Sequence, residues 1–73
     1  MAWQKEGNNK WTLYIDGEVA GYIVLTKYKN GTLSYSGIAM NKKTRAVSKS
    51  FVSAKLTPVK NAVARAAVAQ RKK

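Results

Sequence analysis

The sequence predicts an α+β fold, a small antiparallel sheet of three to four strands with one C-terminal helix. Residues 10–41 are rich in β-branched and aromatic side chains and contain the dipeptides Asp16-Gly17 and Asn30-Gly31, which are typical of tight hairpin turns. Residues 56–73 are rich in alanine, the best helix former. We therefore expect one β-β-β-β-α domain over residues 1–73, with residues 1–9 and 71–73 flexible.

The first three strands are predicted on either side of the two turn dipeptides. A type I′ turn needs positive φ at both central residues, and Asn, Asp and Gly tolerate this conformation best. A fourth strand is predicted in "RAVSKSFVSA", residues 45–54, which follows the polar link "NKKT". No internal repeat or linker interrupts these elements.

The turn dipeptides also predict the strand registers and so the two faces of the sheet. If both form two-residue loops, Ile15 pairs with Glu18 and Tyr28 pairs with Leu33, and paired residues share a face. One predicted face carries Trp11, Leu13, Ile15, Tyr22, Val24, Tyr28, Leu33 and Tyr35. The other carries Tyr14, Val19, Ile23, Leu25 and Ile38, with Lys27, Ser34 and Ser36 toward one end. We expect the first, aromatic face to be the core.

The helix is predicted to begin near Thr57, which can cap it, with Pro58 at the first helical position. Its apolar stripe is predicted to consist of Val59, Ala62, Val63 and Ala66. Positive charge near its carboxyl end, in residues 71–73, favours the helix dipole. Because the stripe is mostly alanine, the helix can approach the sheet closely, and large rings from the sheet would fill the space between them.

The charge of the chain is strongly positive and unevenly distributed. Fourteen Lys and Arg residues oppose three acidic residues, a net charge of +11. All three acids, Glu6, Asp16 and Glu18, lie in residues 1–18, and none lies in residues 19–73. Such a surface attracts polyanions, which include nucleic acid, an anionic membrane and an acidic protein patch.

The residue types that usually carry catalysis or bind metal are nearly absent. The chain has no cysteine and no histidine, which removes the usual zinc ligands and the commonest nucleophile–base pairs. No phosphate-binding glycine motif is present. We therefore expect a binding protein that is not an enzyme and uses no cofactor or metal. The absence of cysteine and of a long apolar segment suggests a soluble protein of the cytoplasm.

Ten basic residues are predicted to contact the phosphate backbone of nucleic acid. They are Lys27, Lys29, Lys42, Lys43, Arg45, Lys49, Lys55, Lys60, Arg65 and Arg71. Only three of the fourteen basic residues are Arg, the residue that reads guanine bidentately. This balance favours contacts to phosphate over readout of bases.

A second predicted surface is apolar. One helix covers one face of a sheet, so the other predicted face is expected to be exposed and to bind a protein partner. The residues predicted for this surface are Trp3, Tyr14, Ile23, Leu25 and Ile38. Two alternatives are that Trp3 folds over the patch and covers it, or that the predicted register is wrong.

Strands followed by a helix, with "SFVSAKLTPVKNAV" at their junction, are similar in outline to integrase arm-binding modules and to PC-four-like single-strand-binding coactivators. The short basic chain with an apolar second face also resembles the small phage-encoded transcription regulators that bind host RNA polymerase. That resemblance implies a transcription regulator that inhibits initiation or prevents termination, acting in the host cytoplasm.

The alternative to this regulator is direct binding of DNA or RNA through the sheet and the basic loops. Further alternatives are a phage inhibitor of another host complex and a basic ribosome-associated protein. Membrane binding is disfavoured because the predicted helix stripe is mostly alanine. The oligomeric state stays open.

Overall fold

A computed structural model describes residues 1–71. Its elements follow the order β1 (Ala2–Lys5), β2 (Lys10–Ile15), β3 (Glu18–Lys27), β4 (Leu33–Asn41), β5 (Ala46–Val47), β6 (Phe51–Ser53) and α1 (Leu56–Arg71). All strand pairs are antiparallel, and β1 to β4 are neighbours in sequence order. The predicted α+β class, an antiparallel sheet with one C-terminal helix, is confirmed, although the sheet has more strands than expected.

The additional strand is β1, at the amino end of the chain. The sequence predicts a flexible segment over residues 1–9, whereas Ala2–Lys5 pair along their whole length with β2. Trp3 lies opposite Leu13 and packs against the core. Burial of this ring, together with the strand hydrogen bonds, holds an otherwise polar segment in the sheet. At the other end, Arg71 closes α1, and residues 72–73 lie outside the described part of the chain.

The predicted fourth strand is divided into β5 and β6, which both pair with the free edge of β4. Ser48 lies between them and exchanges hydrogen bonds with Ala39 of β4, as a paired strand residue would. Its backbone N–H donates to the Ala39 carbonyl at 2.9 Å, and its hydroxyl oxygen accepts from the Ala39 N–H at 2.9 Å. Both polar backbone groups of Ala39 are therefore satisfied without a continuous strand.

The first hairpin turns at the predicted dipeptide. Asp16 and Gly17 have φ values of 52° and 79°, and Ile15 pairs with Glu18 as expected. The register then shifts between Leu13 and Tyr14, so Leu13 pairs with Gly21 and not with Ala20. A bulge of this kind inserts one residue into one strand of the pair.

The second hairpin has a three-residue loop, and the expected two-residue turn is wrong. Lys27 pairs with Leu33, the Tyr28 N–H donates to the Thr32 carbonyl at 2.9 Å, and the Gly31 N–H donates to the Tyr28 carbonyl at 3.0 Å. Gly31 has a φ of 86°. A turn followed by a left-handed glycine is the usual three-residue alternative to the type I′ turn.

These two shifts of one residue change which side chains form the core. Because side chains alternate along a strand, a shift by one residue sends each of them to the other face. The buried core consists of Leu13, Ala20, Ile23, Ala39, Val59, Val63 and Ala67. Ile23, predicted to be exposed, is therefore fully buried, whereas Tyr22 and Val24, predicted to be core residues, lie on the face opposite the helix.

Two glycines allow the helix to approach the sheet. A β-carbon built on Gly37 would lie 2.8 Å from methyl groups of Val59 and Val63, and one on Gly21 would lie 2.7 Å from Val63. The helix therefore packs over backbone in the middle of β3 and β4. Large rings lie beside this contact: Trp11 and Tyr35 pack against the core with ring centroids 5.7 Å apart.

The helix begins at Leu56, two residues before Pro58, which was predicted as the first helical position. Pro58 still lies in the first turn, where its missing N–H costs no helical hydrogen bond. Val59 and Val63 are buried as predicted, and Ala67 extends the buried stripe by one turn. Among residues 1–71, no helix has the length and apolar character needed to cross a membrane.

Candidate functional site

The basic residues predicted to contact nucleic acid divide into an exposed group and a half-buried pair. Eight are exposed: Lys27, Lys29, Lys42, Lys43, Arg45, Lys49, Lys55 and Arg65. The half-buried pair, Lys60 and Arg71, is engaged within the fold. The Lys60 ammonium lies 5.7 Å from the ring centroid of Trp3, and Arg71 Nη1 donates to the carbonyls of Ala67 and Met40 at 3.1 and 3.3 Å.

One exposed pair lies at the tip of the long β3–β4 hairpin. The strand β2 ends its pairing with β3 at Val24, and β6 ends its pairing with β4 at Tyr35. Beyond these positions the chain continues as a two-stranded ribbon, Thr26–Ser34, which we call the ribbon end. It contains Lys27 and Lys29 and no acidic residue.

The ribbon end is exposed but internally ordered. The Asn30 side-chain oxygen accepts from the Thr32 N–H at 3.0 Å, in addition to the two backbone hydrogen bonds that close the loop. Tyr28 is 55% exposed and Leu33 is 39% exposed. The molecule is elongated, with a longest dimension of 43 Å and two shorter ones of 22 and 18 Å.

The neighbouring strands place two further lysines near the base of the ribbon end. Lys10 pairs with Val24 at the start of β2, and its ammonium lies 5.4 Å from the ring centroid of Tyr22. Lys55 follows β6, two residues after Ser53, which pairs with Tyr35. Lys10 was not among the predicted site residues, because only the paired register reveals its position beside this ribbon.

A second basic group lies at the opposite end of the sheet. Lys42, Lys43 and Arg45 form the turn between β4 and β5, and Arg45 has a φ of 59°. Lys43 lines a surface cleft together with Asp16 and Glu18. The two carboxylates therefore offset part of the positive charge at this end, and no such acids flank the ribbon tip.

Asn41 holds this second turn and was not predicted as an important residue. Its side-chain oxygen accepts from the N–H groups of Lys43 and Thr44 at 3.0 and 3.4 Å, and its Nδ2 donates to the Gln70 carbonyl at 3.2 Å. A single buried amide thus joins the β4–β5 turn to the end of α1. An Asn between a strand and a polar link is the only sequence signal for this role.

The sheet face opposite α1, which we call the open face, is mostly apolar. It carries Ala2, Gln4, Lys10, Thr12, Tyr14, Val19, Tyr22, Val24, Ser36, Ile38, Met40, Val47 and Val52. No other described element packs over it. Val24, Val47 and Val52 are exposed, and Tyr14, Tyr22 and Ile38 are half-buried.

The predicted protein-binding residues do not share one surface. Tyr14 and Ile38 lie on the open face. Ile23 is fully buried beneath α1, and Trp3 packs against the core on the helix side. Leu25 pairs with Tyr35, which also faces the helix side. The predicted apolar patch is corrected accordingly: its position opposite the helix is kept, but its central residues become Tyr22, Val24 and Ile38.

The open face carries one side-chain hydrogen bond and one buried hydroxyl without a partner among the described residues. The Tyr14 hydroxyl donates to Glu6 Oε1 at 3.0 Å, and this hydrogen bond to a carboxylate raises the pKa of Tyr14 above its usual value of 10.0. Thr12 is only 4% exposed, and its hydroxyl oxygen has no hydrogen-bond partner among the described residues.

Within residues 1–71, no group of three or more potential metal ligands comes together. No protein-family model matches the chain, and neither a curated protein nor a solved structure gives a match. The function is therefore inferred from the arrangement of charge and of exposed surface.

Proposed function

We propose that the protein is a non-enzymatic nucleic-acid-binding protein whose exposed lysines contact the phosphate backbone. The observation that carries this proposal is the separation of charge. All three acids lie in residues 1–18, while residues 19–73 contain twelve basic residues and no acid. Eight of the ten predicted contact residues are exposed.

Backbone contact, without strong sequence preference, fits these side chains best. Lys binds phosphate as a point charge, whereas Arg is the usual reader of guanine edges. Eleven of the fourteen basic residues are Lys. A protein of this composition gains affinity from the release of counterions, so its binding weakens steeply with salt.

A salt titration tests this proposal directly. Binding of a fluorescent oligonucleotide would be followed by anisotropy at several salt concentrations. The logarithm of the association constant is expected to fall linearly with the logarithm of the salt concentration, with a slope of about −0.9 for each phosphate neutralised on duplex DNA. Absence of binding at low salt, or affinity that does not change with salt, would contradict the proposal.

A second candidate function is favoured by the open face. Its apolar centre consists of Tyr22, Val24 and Ile38. Charged groups lie beside this centre, with Lys10 over the Tyr22 ring and Glu6 bonded to the Tyr14 hydroxyl. An apolar surface of this kind suits a protein partner better than a phosphate backbone. The candidate is a transcription regulator that holds bacterial RNA polymerase through the open face, with the basic residues on nearby nucleic acid.

Affinity capture from bacterial lysate, with and without nuclease, separates the two candidates. Retention of RNA polymerase subunits after nuclease treatment, and their loss in an Ile38→Asp variant, would support the regulator. Recovery of nucleic acid alone would support direct binding. Nuclease-resistant capture of a different host complex would instead support an inhibitor of that complex.

A further inference from the structure

We propose that the ribbon end, Thr26–Ser34, is the main contact element and that it inserts into the major groove of duplex DNA. This inference rests on the proposed nucleic-acid-binding function and names its ligand and its contact element. Three features of the ribbon end lead to it: protrusion, order and unopposed positive charge.

The ribbon end extends beyond the strands on both sides of it. Thr26 pairs with Ser34 and Lys27 with Leu33, at positions where neither β2 nor β6 has a partner residue. Thr26 to Tyr28 spans about 7 Å at the usual rise of a strand, and the turn of residues 29–31 lies beyond it. The major groove of B-form DNA is about 8.5 Å deep and admits a two-stranded β-ribbon.

Its loop is held in a defined conformation before any ligand binds. The hydrogen bonds from Tyr28 to Thr32, from Gly31 to Tyr28 and from Thr32 to the Asn30 side chain close it at 2.9–3.0 Å. An ordered element loses less conformational entropy on binding than a free loop would. A larger share of the free energy of its contacts therefore appears as binding affinity.

The charge of the ribbon end is positive and unopposed at its tip. Lys27 and Lys29 are exposed on either side of Tyr28. Glu6 lies near the base of the ribbon end, where its N–H donates to the Lys10 carbonyl at 2.8 Å, and its carboxylate accepts from Tyr14. By contrast, the turn at residues 42–45 has Asp16 and Glu18 beside it.

Duplex DNA fits this element better than duplex RNA or a single strand. The major groove of A-form RNA is deep and too narrow for side chains to read. A single strand is usually held by aromatic platforms within a basic groove. The ribbon end offers one exposed ring, Tyr28. On the open face, Tyr22 has Lys10 beside its ring, whereas the Tyr14 hydroxyl is bonded to the acidic Glu6, so these rings do not line a basic groove.

The test compares two double variants that remove the same charge. Lys27→Ala/Lys29→Ala changes the ribbon end, and Lys42→Ala/Lys43→Ala changes the exposed turn at the opposite end. Anisotropy would be measured with a 20-base-pair duplex DNA, the matching single strand and the matching duplex RNA. The duplex, about 68 Å long, exceeds the 43 Å long axis of the protein. Unfolding curves would verify that both variants stay folded, as expected for exposed side chains.

The expected result is a selective loss in the ribbon variant. Losing two phosphate contacts lowers the steepness of the salt dependence by about two and weakens duplex binding about 60-fold at 0.1 M salt. The turn variant is expected to lose less, because Asp16 and Glu18 beside Lys43 already offset part of its charge. The wild-type protein is expected to prefer duplex DNA over both other probes.

Different failures have different meanings. If the turn variant loses as much as the ribbon variant, or if the single strand or the duplex RNA binds as tightly as duplex DNA, the ribbon inference is overturned while nucleic-acid binding stands. If the wild-type protein binds none of the three probes at low salt, the proposed function itself is overturned.

Discussion

Gly37 shows how a single residue controls the distance between helix and sheet. It lies in β4 opposite Ile23, and a β-carbon at this position would come within 2.9 Å of three core side chains, those of Val59, Val63 and Ile23. Contacts this short require the helix or its valines to move. The glycine is therefore important for packing, although it carries no side chain of its own.

We expect Gly37→Ala to destabilise the protein by about 1–3 kcal/mol, the usual cost of overpacking a core. Urea unfolding followed by circular dichroism would measure the change. The matched control is Ser36→Ala, one residue earlier on the open face, which is expected to change stability by less than about 0.5 kcal/mol. Equal stability of the wild type and the Gly37→Ala variant would show that the helix does not pack this closely.

Tyr14 gives a prediction about pH. Its hydroxyl donates to Glu6, and the tyrosinate form would lose this hydrogen bond and be repelled by the carboxylate, so its pKa is raised above 10.0. Because the pKa of Tyr14 is higher in the folded than in the unfolded chain, the contact stabilises the fold fully at pH values below the unfolded-state pKa. This stabilisation is lost as the pH rises through the folded-state pKa.

A spectroscopic titration of tyrosinate would test this contact. The Tyr14→Phe variant is expected to lack one of the four tyrosine transitions, and the missing transition should lie above pH 10.0. Glu6→Gln is expected to lower the pKa of Tyr14 back toward its usual value. A Tyr14 transition unaffected by Glu6→Gln would mean that the hydrogen bond does not form in solution.

At the scale of elements, one side chain joins a strand, a turn and the helix. Asn41 accepts hydrogen bonds from the β4–β5 turn and donates to the end of α1. Arg71 adds a second link, from the helix end to the Met40 carbonyl at 3.3 Å. The last helical turn is thus joined to the sheet by polar contacts, in addition to the apolar packing of Ala67 in the core.

Replacing Asn41 by Ala is expected to cost about 1–3 kcal/mol, because three part-buried hydrogen bonds to backbone groups would be lost. Thermal unfolding would measure the loss. Asn61→Ala provides the control, since Asn61 is exposed in the middle of α1 and alanine is the better helix former. A larger loss in the control than in Asn41→Ala would contradict this role.

At the scale of the whole molecule, two isoleucines report which face of the sheet is the core. Ile23 is fully buried under α1, whereas Ile38 lies half-buried on the open face. A carboxylate in the core would be buried without a partner, at a cost comparable to the whole stability of a small domain.

We therefore expect Ile23→Asp to unfold the chain and Ile38→Asp to leave it folded. Near-ultraviolet circular dichroism would distinguish the two states, because Trp11 and Tyr35 are held in a fixed arrangement in the fold. A folded Ile23→Asp variant together with an unfolded Ile38→Asp variant would reverse the assignment of the two faces.

Local chemistry explains which parts of the fold were predictable. Asp16-Gly17 and Asn30-Gly31 both lie in hairpin loops, and α1 covers the alanine-rich segment. Each of these features depends on residues adjacent in sequence. The exposure of Lys27, Lys29 and Lys42 follows likewise from their positions beside turns.

Register was decided by long-range packing. The loop after Tyr28 contains one residue more than the shortest turn, and a bulge shifts the β2–β3 pairing between Leu13 and Tyr14. Such local changes are small, and a window of sequence does not reveal them. Their effect is large, because Ile23 moved from the predicted surface into the core and Tyr22 moved out of it.

The sequence by itself determined the fold class, the turn positions, the helix and the separation of acidic from basic residues. Tertiary structure alone decided which face is buried and which lysines lie together. The physical reason is that the observed register places Gly21, Gly37 and Ala39 on the sheet face that packs against α1. Only these small residues leave room for Val59 and Val63 to pack closely, and the gain in buried apolar contact selects this register over its one-residue neighbour.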